Sequence, residues 1–231
     1  MIKKIQDAKV KKQTVILRLD LNIPYSNGKS NDISRIEKTR ETIHYLVKNA
    51  NKVVILSHFG RPDGKINKDL SLRKLLRYLQ DAINLDIKFL PSLDIEICRK
   101  SIQSASFPSV FLLENLRFSR LEENNDPDFS YKLASLGDIY CNDAFSVSHR
   151  AHASTQGITN YLTSFAGFLV QRELEALASA LDHPLKPVAA IVGGSKISTK
   201  IELLNNLSDK VDFLIIGGAV SYTHLTLPTK A

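Results

Sequence analysis

The sequence predicts an α/β fold: a doubly wound, mainly parallel sheet with helices on both faces, followed by an incomplete second α/β domain. Three observations lead there. Short runs of aliphatic and β-branched residues alternate with stretches of helical period along the whole chain. The runs are nearly all apolar, as strands covered on both faces must be. Their spacing leaves room for a crossover helix between successive strands, which makes βαβ units.

The strands are expected over TVILRLD (Thr14 to Asp20), KVVILSH (Lys52 to His58), DIKFL (Asp86 to Leu90), SVFLLEN (Ser109 to Asn115) and DIYCND (Asp138 to Asp143). PVAAIVGG (Pro187 to Gly194) and VDFLIIGG (Val211 to Gly218) follow late in the chain. Ser34 with Glu37 reads as a capping box. Ile36, Ile43, Leu46 and Val47 then mark one side of a helix reaching about Asn49. Ser71 is expected to cap a helix whose Leu72, Leu75, Leu76 and Leu79 share a face. Asp126-Pro127 starts another, with Phe129 and Leu133 inward and Gly137 closing it. A further helix covers Phe168 to Asp182, and a boundary falls near Pro184 and Pro187. After it the βαβ pattern restarts and is left unfinished, and SYTHLTLPTKA from Ser221 suits neither a buried helix nor a sheet centre. A truncated frame or a foreign tail is expected there.

Composition narrows the class of protein. Of 231 residues 43% are apolar and 24% charged, which excludes a disordered or fibrous chain. The net charge of +7 invites anionic partners without choosing among them. Cys98 and Cys141 form no CxxC pair, so a reduced protein without a disulfide scaffold is expected. The basic N-terminus has no apolar stretch behind it, and no apolar run approaches the ~18 residues that cross a bilayer. A soluble, cytoplasmic protein without a membrane partner is the expectation.

Ligands of open α/β sheets bind beyond the carboxyl ends of the strands. That edge collects Arg18, Asp20 and Asn22 after the first strand and Arg35 at the first helix. It adds His58, Gly60 and Arg61 after the second strand, with Phe59 read as packing beside the loop, then Glu114, Asn115 and Arg117 after the fourth. Asn142, Asp143, His149, Arg150 and His152 follow the fifth. Arg35, Arg61, Arg117 and Arg150, with His58 and His149 beside them, are expected to converge on one cleft. Guanidinium forks match phosphate and carboxylate oxygens, and a dianionic ligand resolves the repulsion among several of them. Asp20 and Asn22 then accept from ligand hydroxyls or orient the arginines. A small acid carrying phosphate and carboxylate fits this set. Arg18, inside its strand, reads as structural, and His44 and His183 as surface residues. The two site histidines supplement the field as neutral donors or as partly protonated groups. A zinc site from His149, His152 and Cys141 lacks a fourth ligand.

A second candidate is VGGSKISTK (Val192 to Lys200), where a glycine pair and a helix beginning near Ser198 direct N–H groups at an anion, with Lys196 and Lys200 beside it. It is neither a Walker nor a GxGxxG motif. Gly217-Gly218 repeats the arrangement one strand later. A nucleic-acid-binding module is the alternative of a different class. No helix-turn-helix, zinc-finger or aromatic-studded basic pattern supports it, and aromatics are 7%.

These segments resemble the phosphoglycerate kinase family. RLDLNIP (Arg18 to Pro24) resembles its RxDxNxP, SNDISRI (Ser30 to Ile36) its DxxRI, and SHFGRP (Ser57 to Pro62) its SHxGRP. LLENLRF (Leu112 to Phe118) resembles LLENxRF, and NDAFSVSHRAHAS (Asn142 to Ser154) resembles NDAFxxxHRAHAS. GGSKISTK and LIIGGAVSYT are similar to GGxKxxxK and LIIGGxMxxT, with Val220 in place of Met. The resemblance implies two Rossmann-like domains joined by a helix, one binding 3-phosphoglycerate or 1,3-bisphosphoglycerate and the other Mg-ADP or Mg-ATP. It implies that Asp20, Asn22, Arg35, His58 to Arg61, Arg117 and Arg150 contact the acid. Arg35 also reaches the transferring phosphoryl group. Lys196 and Lys200 serve the nucleotide, with Lys200 neutralising the phosphate being passed. The implied organisation is a phosphoglycerate-binding domain over 1–167, an interdomain helix and linker over 168–186, the start of a nucleotide domain over 187–220 and an atypical tail over 221–231. A monomer acting on small molecules, not nucleic acid, is expected. Because family members are longer, this chain is expected to bind the acid with little or no turnover, or to serve as a non-catalytic binding fragment.

Overall fold

A computed structural model describes residues 2–26, 28–181, 185–193 and 201–217, and the chain divides into two compact units, 1–173 and 174–231. The strands of the first unit are β1 (Thr14–Arg18), β2 (Lys52–Leu56), β3 (Lys88–Leu90), β4 (Ser109–Leu113), β5 (Ile139–Asn142) and β6 (Ser164–Ala166). They form one sheet in the order β3-β4-β2-β1-β5-β6, parallel throughout.

The pleat sends alternate residues into two cores. Val15, Leu17, Val53, Ile55, Val110 and Leu112 face one core, with Ile36 of α1 (Ser34–Glu37), Ile43 and Leu46 of α2 (Arg40–Asn49) and Leu75 and Leu79 of α3 (Arg73–Ile83). Ile16, Val54, Leu56, Phe111 and Leu113 face the other, with Cys98 and Ile102 of α4 (Ile95–Ser104) and Phe129 and Leu133 of α6 (Pro127–Ala134). A short α5 (Arg120–Glu123) precedes α6, and α7 (Phe168–Leu181) follows β6. Helices therefore cover both faces, as the continuous apolar strands require.

Several local expectations need correction. Ser34 is not the cap of its helix: its own N–H donates to Asp32 Oδ1 at 2.9 Å, so Asp32 covers the free end. The single helix expected up to Asn49 breaks into α1 and α2 at Lys38 and Thr39, where Thr39 Oγ1 donates back to Ile36 O at 2.7 Å. Such a bond competes with the helical ladder. Ser71 shares the start of α3 with a residue from the loop after β4. Its Oγ accepts from Arg73 N at 3.2 Å, while Glu114 Oε1 accepts from Leu72 N at 2.9 Å. Asp126 caps α6 as expected, accepting from Phe129 N at 2.8 Å, with Pro127 in the first turn. Gly137 does not close that helix, which ends at Ala134. It is needed for a close approach instead, since a Cβ there would lie 2.8 Å from Ile16 Cγ1 and from Thr14 O.

The expected elements include neither α4 nor β6. β6 is three residues long, while α4 is marked by Asp94, whose Oδ1 accepts from Glu96 N and Ile97 N at 3.1 and 3.3 Å, and by Ile95, Cys98 and Ile102 at i, i+3 and i+7. At the other end of α4, buried Lys52 donates from Nζ to Ile102 O and Gln103 O at 2.5 and 3.1 Å, a cation at a helix carboxyl end. Strands β1, β2, β4 and β5 each stop one or two residues before the expected end. The residues beyond become the loops of the site.

The second unit holds a parallel pair, β7 (Ala189–Gly193) and β8 (Phe213–Gly217), with α8 (Ile201–Ser208) between them in the chain. Lys186 pairs with Asp212 at 3.0 Å, and Asp212 Oδ2 accepts from Val188 N at 2.8 Å. Gly194, Lys196, Ser198, Lys200, Gly218, the segment from Ser221 and His183 lie outside the described residues. Among the described residues no helix is long and apolar enough to cross a membrane.

Candidate functional site

The chain leaves β1 for β2 on one side and later returns to β5 on the other. That reversal opens a crevice at the carboxyl ends of the strands, where open α/β sheets take ligands. Four loops meet there, and hydrogen bonds tie them together.

The loop after β1 is stapled to β2 by Ser57, whose Oγ accepts from Leu21 N at 3.0 Å and donates to Leu19 O at 2.9 Å. Asp20 Oδ1 accepts from Asn22 N at 3.0 Å, and Asp20 Oδ2 is paired with the Arg35 guanidinium from α1. Asn22 Oδ1 accepts from Gly60 N at 2.9 Å, and Gly60 O accepts from Arg117 Nη1 at 3.0 Å. Gly60 can make both contacts because it sits at a φ of +65°, and a Cβ would fall 2.6 Å from Leu70 Cδ2. Asn115 holds the same loop from behind. Its Nδ2 donates to Phe59 O and Leu70 O at 2.7 and 2.8 Å, and its Oδ1 accepts from Phe59 N and Arg117 N, both at 3.2 Å. Asp20, Asn22, Arg35, Phe59, Gly60 and Arg117 thus form one bonded set drawn from three strand ends and a helix.

Beneath it lies a buried polar layer. Arg18, 1% exposed, donates from Nε to Ser154 Oγ at 2.8 Å and from Nη1 to Leu19 O. Ser154 Oγ donates to Glu122 Oε1 at 2.5 Å, Ser154 N donates to Glu122 Oε2 at 3.0 Å, and Ser154 O accepts from Tyr140 OH at 2.8 Å. Burial raises the Glu122 carboxyl and the Tyr140 hydroxyl above their usual ranges, with Arg18 opposing both shifts. Arg18 is structural, as its place inside the strand suggested.

His58 stands over this layer, its Nδ1 3.3 Å from Arg18 Nη2. A guanidinium only donates, so Nδ1 is the acceptor and the proton sits on Nε2. Burial first, then the charges of Arg18, Arg117 and Arg150, push His58 down to about 2. This removes the partly protonated alternative: the ring is a neutral donor. Burial, followed by Arg117, also lowers His152. Arg117 is itself 3% exposed, held below the usual guanidinium range by burial and partly restored by Glu123 at 3.3 Å.

Arg150 belongs to the same field and is half-buried, while Arg61 and His149 are exposed and, among the described residues, not bonded to the set. The zinc alternative is not assembled. Cys141 is buried within β5 with its thiol pushed up by burial, and among the described residues no group of three His, Cys, Asp or Glu could hold a metal.

Beside Arg35 opens a cleft of about 240 Å³, lined by Asp20, Lys38, Thr39, Asp143, Ser146 and Leu169 among others. Asp143 Oδ1 accepts from Leu169 N and Val170 N at 2.8 and 3.1 Å and so caps α7 at the edge of the site, its carboxyl raised by burial. Gly167 admits this contact, since a Cβ there would lie 2.3 Å from Asp143 Oδ1. Sequence reasoning missed Glu122, Ser154 and Ser146. The first two look like surface residues of a short helix and a loop, and only the arginine buried in β1 hinted that an acid had to lie near.

The family model described as phosphoglycerate kinase matches residues 5–230. A phosphoglycerate kinase of Granulibacter bethesdensis is 47% identical over 216 residues, covering 94% of this chain and 54% of its own. One from Brucella suis is 44% identical over 225 residues, covering 97% of this chain and 57% of its own. Among solved structures, phosphoglycerate kinase from Coxiella burnetii superimposes with a TM-score of 0.82 at 38% identity, over 97% of this chain and 56% of that one. The enzyme from Pyrococcus horikoshii gives 0.85 at 28% identity, over 96% and 56%. The chain spans about half the length of the curated relatives it matches.

Proposed function

The chain belongs to the phosphoglycerate kinase family, and from that membership we propose that the protein transfers a phosphoryl group reversibly between 1,3-bisphosphoglycerate and ADP, giving 3-phosphoglycerate and ATP. Within it the first unit binds the acid at the carboxyl edge of its sheet. The observation that carries this reading is the bonded set from Asp20 to Arg117, which presents cations at a topological switch point and fixes the loops that bear them.

Each group has a task its chemistry suits. Arg117 and Arg150 receive anionic oxygens, and Arg61 adds an exposed third charge. His58 offers Nε2–H without adding charge, and the Asp20 and Asn22 loop faces the hydroxyl of the acid. Arg35, half-exposed and held by Asp20, is free to turn toward the group in transit. Phosphoryl transfer asks for alignment and positive charge more than for covalent catalysis. Arginines that meet a ligand where water is excluded act more strongly than they would in bulk solvent. Mg-ADP or Mg-ATP is the second substrate. Lys196 and Lys200 are assigned to it by the family pattern, with Lys200 neutralising the phosphate being passed. Since the chain spans about half of its relatives, turnover is proposed for a protein with both halves of the cleft, and acid binding for the first unit.

NMR titration of the chain with 3-phosphoglycerate tests the assignment. Amide signals of Arg35, Gly60, Arg117 and Arg150 should move together and saturate. Signals that stay still at millimolar ligand, or a saturating response to duplex DNA in their place, would contradict it.

A further inference from the structure

Ser146 lies on the single turn Phe145–Val147 after β5, at a position that the NDAFxxxHRAHAS pattern leaves open. Its Oγ donates at 2.5 Å to Asp20 Oδ2, the same oxygen that holds Arg35. The turn is braced on both sides: Asn142 Oδ1 accepts from Ala144 N at 3.0 Å, and Ser148 Oγ accepts from Asn142 Nδ2 at 3.0 Å. The hydroxyl is therefore delivered by a fixed turn. The other Asp20 oxygen is taken by Asn22 N, and the Asp20 side chain is 11% exposed against 49% for Arg35.

We infer that Ser146 is a positioning residue, whose hydroxyl keeps Asp20 satisfied and oriented while Arg35 leaves it for an anionic ligand. The inference rests on the reading above, in which Arg35 turns to the acid. An oxygen stripped of its one ion partner in a mostly covered site is unfavourable, so a second donor that stays behind eases the exchange. Without it Asp20 Oδ2 depends on Arg35 alone, and Arg35 is held back from the ligand.

Two readouts on the 231-residue chain test this. In calorimetric titration with 3-phosphoglycerate, Ser146→Ala should weaken binding about fivefold to tenfold, the effect of one hydrogen bond to a partly exposed charge. Ser146→Thr, which keeps the hydroxyl, should restore it. In nitrogen NMR of the ligand-free protein, rotation of the Arg35 guanidinium should slow in Ser146→Ala and recover in Ser146→Thr. A purely structural role for the turn would show the same loss in both variants. Equal affinity and equal Arg35 rotation in the unsubstituted chain and Ser146→Ala overturn the inference. If the unsubstituted chain takes up no 3-phosphoglycerate, the functional reading fails instead, and the Arg35 rotation, which needs no ligand, still decides the role of Ser146.

Discussion

Burial decides protonation at the residues of the site, and protonation can be read as stability. The unfolded value of His58 is near 6.5 and the folded one about 2. Between those limits the unfolded chain carries a proton that the native chain does not, so this residue's contribution is lost as pH falls through that window, by about 1.4 kcal/mol per pH unit. Glu122 and Asp143 act with the opposite sign, since burial raises both and protonation favours their native form. His58→Gln should flatten the fall of the urea midpoint between about pH 6.5 and about pH 5, whatever it does to the midpoint itself. An unchanged slope would mean that His58 is charged in the fold. Glu122→Leu should destabilise the first unit by about 3 kcal/mol or more, because it leaves the buried Arg18 charge without its acid. Arg150→Ala is expected to act on the ligand, weakening 3-phosphoglycerate binding by about 2 kcal/mol or more as one member of a covered charge pair is lost. Isothermal calorimetry reads that difference directly.

At the scale of elements, the loops behave as extensions of the strands rather than as free connections. Gly60→Ala introduces both a clash with Leu70 and a left-handed backbone that a side chain resists by about 1 to 2 kcal/mol. It should lower the thermal midpoint and weaken acid binding together, because the Gly60 carbonyl positions Arg117. Asp143→Ala removes two acceptor contacts from the start of α7, a loss of about 0.5 to 2 kcal/mol for a helix cap. Faster hydrogen exchange at the Leu169 and Val170 amides, with the β1 and β2 amides unchanged, is the expected signature. The runs of β1, β2 and β4 were legible because a parallel strand buried on both faces needs continuous apolar sequence. The break between α1 and α2 was not, because Thr39 looks like any other helical residue until its hydroxyl is seen on Ile36 O. α4 was legible in principle, since Ile95, Cys98 and Ile102 stand at i, i+3 and i+7 and share its buried face.

Over the whole first unit, parallel strands place all their carboxyl ends on one edge, so residues distant in sequence were bound to gather once the strand ends were known. That is why the positions of Asp20, Arg35, Arg117 and Arg150 could be grouped from sequence. The supporting layer could not be. A glutamate in RLEE and a serine in RAHAS are ordinary surface residues by type, and both are buried in the chain of bonds from Arg18 through Ser154 to Glu122, which no local pattern encodes. The second unit, described by itself, is a parallel strand pair whose Ile191, Phe213 and Ile215 are 77%, 59% and 50% exposed. The account rests on the first unit binding its ligand unaided. Calorimetric titration of 3-phosphoglycerate into the 231-residue chain at low and raised salt measures this most directly. The account predicts saturable one-to-one binding that weakens steadily with salt, as recognition by several arginines must. Absence of heat at millimolar ligand, or binding indifferent to salt and unchanged in Arg150→Ala, would contradict it.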